Sequence, residues 1–211
     1  ALGDSLTDIK TLGEGVKRLI SSLIKPEFYF TKVNDDIYCK VDINYAIGKI
    51  TLLKDINKLS FIRDNIYEEK IVMEMEKLKF IRDDNKFKFI GEDEDIYNLL
   101  SIRFKELLKE GKVYLTKDFK DIRLIKGKDL EYSFIEEDEG YYFKVKGFTL
   151  KELNSALYDM KNKKGFYKTK NNNYLDLKDK TVIRILNILD SLDISDDNIT
   201  FLIMEAKKKM N

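Results

Sequence analysis

The chain has 211 residues, a formal net charge of +1, and neither histidine nor tryptophan. Cys39 is its one cysteine, so a zinc site of histidine and cysteine ligands and a disulfide within the chain are both excluded. Without imidazole, any catalytic proton transfer would have to use other side chains. A net charge near zero also argues against a strong attraction of the whole surface to nucleic acid or membrane.

Hydrophobic residues make up 43% of the sequence and charged residues 36%, and the two kinds are interleaved along the chain. This mixture favours a folded protein with a well-solvated surface. No apolar run approaches the ~18 residues of a membrane span, and no segment has the order of a signal peptide. We therefore expect a cytoplasmic protein without a membrane partner. Because the chain starts without methionine and stops within a helical pattern, we also expect a fragment of a longer protein.

The first predicted element is a helix from Leu6 to Leu23, where apolar residues recur at helical spacing up to Pro26. Strands follow from Glu27 to Val33 and from Ile37 to Ile43, the second with apolar residues at alternate positions. With a short strand around Ile50 to Leu52, they form a predicted three-stranded antiparallel meander.

Helices and strands alternate through the rest of the chain. The predicted helices are Asp64 to Leu78, Glu92 to Glu110, one opened by the capping box of Thr149 and Glu152, Val182 to Leu192, and Ile199 to Met210. The predicted strands are Phe87 to Phe89, Lys112 to Thr116, Ile122 to Ile125, Leu130 to Ile135, Tyr141 to Val145, Phe166 to Lys168 and Tyr174 to Leu177.

These elements show no regular βαβ rhythm, so the predicted class is α+β: antiparallel meanders and hairpins packed with amphipathic helices, and a helical C-terminus. The polar run from Arg82 to Asn85 interrupts the apolar pattern. We expect one unit over residues 1–80, with a helix, the meander and a second helix. A second α+β unit is expected over residues 81–211, unless the two form one continuous domain.

No catalytic, cofactor-binding or metal-ligating residue is assigned. The scattered glycines form neither a P-loop nor a dinucleotide-binding motif. The strand Phe87 to Phe89, followed by the acids Glu92 to Asp95, is similar to a strand end that holds Mg²⁺ through a carboxylate. Because the sequence has no phosphate loop, we interpret these acids instead as residues that stabilise the positive N-terminal end of a helix. Glu136 to Glu139 is interpreted as a solvated hairpin tip, and Cys39 as a buried structural thiol. A hydrolase that uses two carboxylates remains an alternative function, but the spacing of the acidic residues along the chain identifies no particular pair.

The most suggestive surface segment runs from Lys161 to Lys170, where lysines alternate with aromatic residues. Lysines suit a phosphate backbone, and rings can stack on bases. The candidate nucleic-acid contacts are Lys163, Lys164, Phe166, Tyr167, Lys168 and Lys170. The alternative is a lysine-rich helix end that leads into a strand whose Phe166 or Tyr167 faces the core.

The order of several motifs carries a family resemblance. They are Phe80-Ile81, Glu94-Asp95-Ile96-Tyr97, the run Gly111 to Lys120, Leu150-Lys151-Glu152-Leu153, Lys164 to Lys168 and Tyr174 to Leu177, preceded by Ile62-Arg63-Asp64 and by Tyr45 with Gly48. This order resembles the helicase-associated region that lies N-terminal to the motor of bacterial Swi/Snf-type ATPases.

The resemblance implies a non-catalytic accessory or regulatory module of a DNA-dependent ATPase, helicase or translocase. Its implied partner is its own downstream motor, where ATP and Mg²⁺ would bind, with double-stranded DNA or a nucleic-acid-associated protein as a further partner. The phosphate loop, the acidic motor box and the arginine finger belong to that motor, so no catalytic residue is carried over to this chain. The alternative function is direct nucleic-acid binding through the lysine and aromatic hairpin.

Overall fold

The computed structural model describes residues 24–45, 48–54, 63–137 and 140–191. The predicted helices Leu6 to Leu23 and Ile199 to Met210 lie outside the described residues. The chain divides into two compact units, the first ending at Asp121 and the second beginning at Ile122. This division differs from the one expected near residue 80, where the chain forms a hairpin inside the first unit.

Among the described residues, the first unit is built on a six-stranded mixed sheet. Its strands are β1 (Lys25–Val33), β2 (Asp36–Tyr45), β3 (Gly48–Thr51), β4 (Phe80–Asp83), β5 (Lys86–Phe89) and β6 (Lys112–Leu115). The order is β4-β5-β2-β1-β6, and β3 also pairs with β2. The predicted meander β1-β2-β3 is confirmed. Its extension by the parallel strand β6 could not be read from local patterns, because Glu27 pairs with Lys112 across 85 positions of sequence.

Helices cover one face of this sheet. They are α1 (Asn65–Lys77), α2 (Asp93–Asn98) and α3 (Phe104–Glu110), with a π-helical turn from Leu99 to Arg103 between the last two. The predicted helix Glu92 to Glu110 is therefore divided near its middle by this π-helical turn. The rings of Phe30 and Phe104 lie 4.9 Å apart and pack α3 against β1. A short 3₁₀ helix (Phe119–Asp121) closes the unit.

Pairing along β1 and β2 sorts side chains onto two faces, because alternate residues of a strand point to opposite sides. Phe28, Phe30, Cys39, Val41 and Ile43 are buried on the face that the helices cover. The opposite face carries tyrosines, lysines and carboxylates. The sheet is thus apolar on one side and polar on the other, as amphipathic strands of a two-layer structure require.

The described part of the second unit holds two small sheets, two α-helices and a short 3₁₀ turn. Its strands are β7 (Leu124–Ile125), β8 (Tyr132–Glu137), β9 (Gly140–Val145), β10 (Phe166–Lys168) and β11 (Tyr174–Asp176), and its helices are α4 (Leu150–Lys161), α5 (Lys180–Ser191) and a 3₁₀ turn (Gly127–Asp129). One sheet has the order β10-β11-β7, and β8 pairs with β9 as a hairpin. The α+β class is confirmed, although the predicted strand Ile122 to Ile125 contains only two paired residues.

The core of the second unit lies between α4, α5 and the three-stranded sheet. Its buried residues are Val145, Leu153, Ala156, Leu175, Leu177, Val182, Ile185, Leu186 and Leu189. Gly127 permits close packing beside α5, since a Cβ atom at this position would lie 2.1 Å from Cβ of Thr181.

Within the described ranges, no helix is both long and apolar enough to cross a membrane.

Candidate nucleic-acid interface and polar clusters

The β10–β11 hairpin fixes the segment that carries the predicted nucleic-acid contacts. At its tip, the backbone N–H of Thr169 donates to the carbonyl oxygen of Asn173 at 2.8 Å. The backbone N–H of Asn173 donates to Oγ1 of Thr169 at 3.1 Å. Asn173 Oδ1 in turn accepts from the backbone N–H of Arg123 at 2.9 Å, which ties the tip to the chain beside β7. The lysines of this hairpin therefore project from a well-defined backbone.

Glu152 connects this tip to the start of α4. With Thr149 it forms the predicted capping box, in which Glu152 N–H donates to Thr149 Oγ1 and Thr149 N–H donates to Glu152 Oε2. Its other carboxylate oxygen accepts from the backbone N–H of Lys170 at 3.4 Å. Burial opposes ionisation of Glu152, but the hydrogen bonds from Thr149 and Lys170 outweigh it and hold its pKa below the ordinary value.

The lysines and the aromatic rings of the candidate set differ in their surroundings. Lys163, Lys164, Lys168 and Lys170 are exposed, although Nζ of Lys164 pairs with Asp159 at 2.7 Å. Phe166 and Tyr167 are half-buried. The Phe166 ring lies 5.5 Å from that of Tyr174, and Tyr167 packs against the core of the unit. The hairpin thus presents charge more than stacking surface, and its role in nucleic-acid contact stays a prediction.

Tyr158 on α4 is an exposed aromatic residue that the sequence pattern did not single out. Its side chain is 68% exposed. It borders a shallow depression of about 360 Å³ with Lys151, Asn154, Ser155 and Asp159. The sequence could have identified Tyr158, because this residue lies outside the apolar stripe of the helix. That stripe includes Leu153 and Leu157.

On the first unit, the polar face of the sheet holds a second group of aromatic and basic residues. Tyr29 on β1 and Tyr114 on β6 stack at 4.8 Å between ring centroids, with an interplanar angle of 12°. Nζ of Lys40 and Nζ of Lys49 lie 5.3 Å and 5.4 Å from the centroid of the Tyr29 ring. Further along the face, Nζ of Lys86 lies 3.6 Å from the ring of Tyr38. These contacts are within the range of cation–π interactions.

Carboxylates at the base of this face hold the lysines in place. Lys49 Nζ lies 2.8 Å from Glu27 Oε2 and 3.1 Å from Asp42 Oδ2, and Lys40 Nζ also lies 3.1 Å from Asp42 Oδ2. The hydrogen bond from Lys49, followed by that from Tyr29, lowers the pKa of Glu27 to about 2. Glu27 in turn raises the pKa of Lys49, so both ends of this pair are charged at neutral pH.

A polar cluster around the buried Glu68 joins three half-buried positions of the resembling sequence pattern, Tyr45, Arg63 and Asp64. Tyr45 Oη donates to Oε1 of the buried Glu68, and Arg63 donates to both oxygens of the same carboxylate. The backbone N–H of Asp64 donates to Tyr45 Oη at 3.2 Å, while Asp64 Oδ1 caps α1 by accepting from Tyr67 N–H. The cluster links the beginning of α1 to the end of β2, so its role is structural.

The predicted acidic helix start is also structural. The backbone N–H of Glu92 donates to Asp95 Oδ2 at 3.0 Å, so these acids form a capping box on α2. Among the described residues, no group of three or more histidine, cysteine, aspartate or glutamate side chains is placed to hold a metal ion. Cys39 is buried as predicted, and this burial raises the pKa of its thiol well above the ordinary value.

A cleft of about 240 Å³ lies between α1 and α3, over a floor that includes Phe28. Its lining includes Glu74, Glu106 and Glu110, of which Glu74 pairs with Lys77 and Glu106 with Arg103, each at 2.7 Å. Two of the three carboxylates are thus engaged with cations on their own helical segments. The cleft offers apolar surface and ion pairs, without the paired free carboxyls that a hydrolase of this kind would use.

The chain matches one family model, described as "Bacterial SNF2 helicase associated", over residues 4–207. Because the match spans nearly the whole sequence, the chain belongs to the bacterial SNF2 helicase-associated family. The resemblance inferred from its motifs is thereby confirmed, and the domain is one associated with SNF2 helicases. No curated protein and no solved structure matches the chain.

Proposed function

We propose that the chain is a non-catalytic accessory module of a bacterial SNF2-type DNA-dependent ATPase. It regulates the motor or helps to place the motor on its partner, which is double-stranded DNA or a nucleic-acid-associated protein in the cytoplasm. Family membership over residues 4–207 carries this proposal. ATP and Mg²⁺ would bind to the motor, and this chain would contribute neither ligands nor catalytic groups for them.

The state of the buried and half-buried carboxylates supports a module without chemistry of its own. Glu27, Asp42 and Glu152 each have a pKa below the ordinary value, because cations and hydrogen-bond donors surround them. A general acid needs the opposite, a carboxyl whose pKa is raised toward neutrality. These groups are suited to ion pairs and helix caps.

An ATPase assay tests the proposal. The 211-residue chain is incubated with ATP and Mg²⁺, with and without duplex DNA, and phosphate release is followed. We expect no turnover above the buffer background. Turnover that survives purification and disappears on substitution of a carboxylate in this chain would contradict the proposal.

A second candidate function is direct binding of nucleic acid by the β10–β11 hairpin. The observation that favours it is the exposure of Lys163, Lys164, Lys168 and Lys170 along one short segment. A contact of this kind neutralises phosphates and weakens steeply as salt rises. The half-buried rings of Phe166 and Tyr167 would support the backbone of the hairpin more than they would stack on bases.

The test replaces the four hairpin lysines with glutamine and titrates a 20-base-pair duplex at low salt. We expect weaker binding and a smaller dependence on salt concentration. Lys105→Gln/Lys109→Gln serves as the control, because both residues are exposed lysines on α3 in the first unit. An equal loss in the control, or no binding by the unmodified chain at tens of micromolar, would contradict the hairpin interface.

A further inference from the structure

We propose that the edge strand β6 of the first unit is a binding site for single-stranded nucleic acid. In this site, the ring of Tyr114 is a platform on which one unpaired base stacks. Lys112 and Lys117, which flank Tyr114 in sequence, would contact the adjoining phosphates. The site lies apart in sequence from the lysine hairpin of the second unit and does not depend on it.

Within the described residues, the position of Tyr114 leaves one face of its ring available. Tyr114 and Tyr29 occupy opposite positions on the parallel strands β6 and β1. Their rings stack across these strands, so Tyr29 covers the inner face of the Tyr114 ring. Strand β6 ends the order of the sheet, and no described strand pairs with its other side. A base that stacked on the outer face would extend the existing pair of rings to three.

The ring beneath Tyr114 is held firmly. Tyr29 Oη donates to Glu27 Oε2 at 2.7 Å, and the ammonium groups of Lys40 and Lys49 lie near its face. Tyr114 itself is 40% exposed. A partly exposed ring supported by a fixed neighbour loses little conformational freedom on binding a base, which favours stacking.

Lysines are more numerous than carboxylates on the exposed surface beside this platform. The carboxylates of Glu27 and Asp42 lie at the base of the face, with side chains only 12% and 6% exposed. The lysines above them reach solvent, with side-chain exposures of 44% for Lys49 and 66% for Lys112. Lys117 follows β6 and is exposed as well. Lys49, Lys112 and Lys117 thus place three ammonium groups around Tyr114, while Lys112 also lies 3.8 Å from Glu27 Oε1 and the exposed Asp118 follows Lys117.

Stacking on an open ring selects single strands over duplexes. A base inside a duplex already has neighbours on both of its faces, whereas an unpaired base has a free face to place on a side chain. Every base has such a face, so this site would show little sequence preference. Duplex DNA could bind to this site only through contacts between its phosphates and the lysines.

The experiment follows binding of a fluorescein-labelled 15-residue oligothymidylate to the 211-residue chain by anisotropy at low salt. We expect Tyr114→Leu to weaken binding by between about fivefold and about 150-fold, the range for loss of one stacked base. Tyr114→Phe keeps the ring and should bind within about twofold of the unmodified chain. Tyr132→Leu is the matched control, because Tyr132 on β8 is 43% exposed.

The lysines provide a test that leaves both rings in place. Lys112→Gln/Lys117→Gln should reduce the slope of log K against log salt by about 1.4, the value for two phosphate contacts on a single strand. Circular dichroism establishes that each variant is folded. The proposal is overturned if folded Tyr114→Leu binds like the unmodified chain, if Tyr132→Leu causes the same loss, or if the oligothymidylate does not bind at tens of micromolar. Should Tyr114→Leu fail to fold, an unchanged salt slope in the lysine variant overturns it.

Discussion

The carboxylate of Glu68 is buried, and its hydrogen-bond partners explain how the first unit accommodates it. Arg63 and Tyr45 both donate to it, so the charge is paired and its oxygens are hydrogen-bonded. An ion pair that is largely removed from water contributes modestly as a whole, but removal of one partner leaves the other uncompensated. Single residues of this kind decide local stability far more than exposed charges do.

We therefore predict that Glu68→Ala lowers the free energy of unfolding by about 3 kcal/mol, because Arg63 and Tyr45 lose their shared acceptor. Urea denaturation followed by circular dichroism measures the change. Glu69→Ala is the control, since Glu69 is exposed and its nearest cation, Arg82, lies 3.6 Å away. The control should change the free energy of unfolding by less than about 0.5 kcal/mol. Equal effects of the two substitutions would contradict the role given to Glu68.

Glu27 links stability to pH. Its pKa in the folded chain is about 2, against 4.5 for an ordinary glutamate. A carboxyl with a lowered folded-state pKa stabilises the protein above its unfolded-state pKa, and this contribution disappears as pH falls through the folded-state value. We predict that Glu27→Gln is destabilising at pH 7 and that its difference from the unmodified chain shrinks between about pH 5 and pH 2. Urea titrations across this range measure it, and a difference independent of pH would contradict the assignment.

Among the elements, α4 and the β10–β11 hairpin depend on each other through one side chain. Glu152 closes the capping box with Thr149 and also accepts the backbone N–H of Lys170 at the hairpin tip. An amphipathic helix of 12 residues gains little stability alone, so its cap and its packing against the sheet determine whether it forms. The capping box thereby fixes the lysine-bearing loop as well as the helix.

We predict that Thr149→Ala costs about 1 kcal/mol of stability, the usual effect of losing an N-cap hydroxyl. Glu152→Ala should cost more, because it also removes the acceptor of Lys170 N–H. Lys151→Ala, in the same helical turn and exposed, provides the control and should stay within about 0.5 kcal/mol. Chemical denaturation ranks the three variants, and a larger effect for Lys151 than for Glu152 would refute the coupling.

At the scale of the whole molecule, the chain contains two units with separate cores. The first has its core between the mixed sheet and helices α1 to α3, and the second has its core between α4, α5 and the three-stranded sheet. A compact unit with its own core can in principle fold alone. Each proposed nucleic-acid contact belongs to one unit, Tyr114 to the first and the lysine hairpin to the second.

We predict that residues 1–121 and residues 122–211, expressed separately, each fold cooperatively. Circular dichroism during thermal unfolding should show a sigmoidal transition for each piece, because each retains its buried core. A gradual, featureless loss of signal in either piece would contradict the independence of that unit. The same pieces then assign any nucleic-acid binding to Tyr114 or to the hairpin.

Local patterns predicted those elements whose signals are contained in a few neighbouring residues. The capping box of Thr149 and Glu152, the antiparallel meander of β1 to β3 and the burial of Cys39 are all confirmed. Strand β4 was missed because its residues Phe80–Asp83 contain two charges and join a turn that was interpreted as a domain boundary. The Tyr29–Tyr114 pair was also missed, since no pattern of alternation indicates which distant strand will pair with β1.

By itself, the sequence determined the α+β class, the absence of histidine chemistry and the family to which the chain belongs. These properties depend on composition, local periodicity and motif order, which do not require the chain to be folded. Only the tertiary structure decided where the two units divide, that Arg63 and Tyr45 share the buried carboxylate of Glu68, and that Tyr114 stands on a strand that ends the sheet within the described residues. Such features arise when segments far apart in sequence are brought together to bury apolar surface, and the pairing that achieves this is a property of the whole chain.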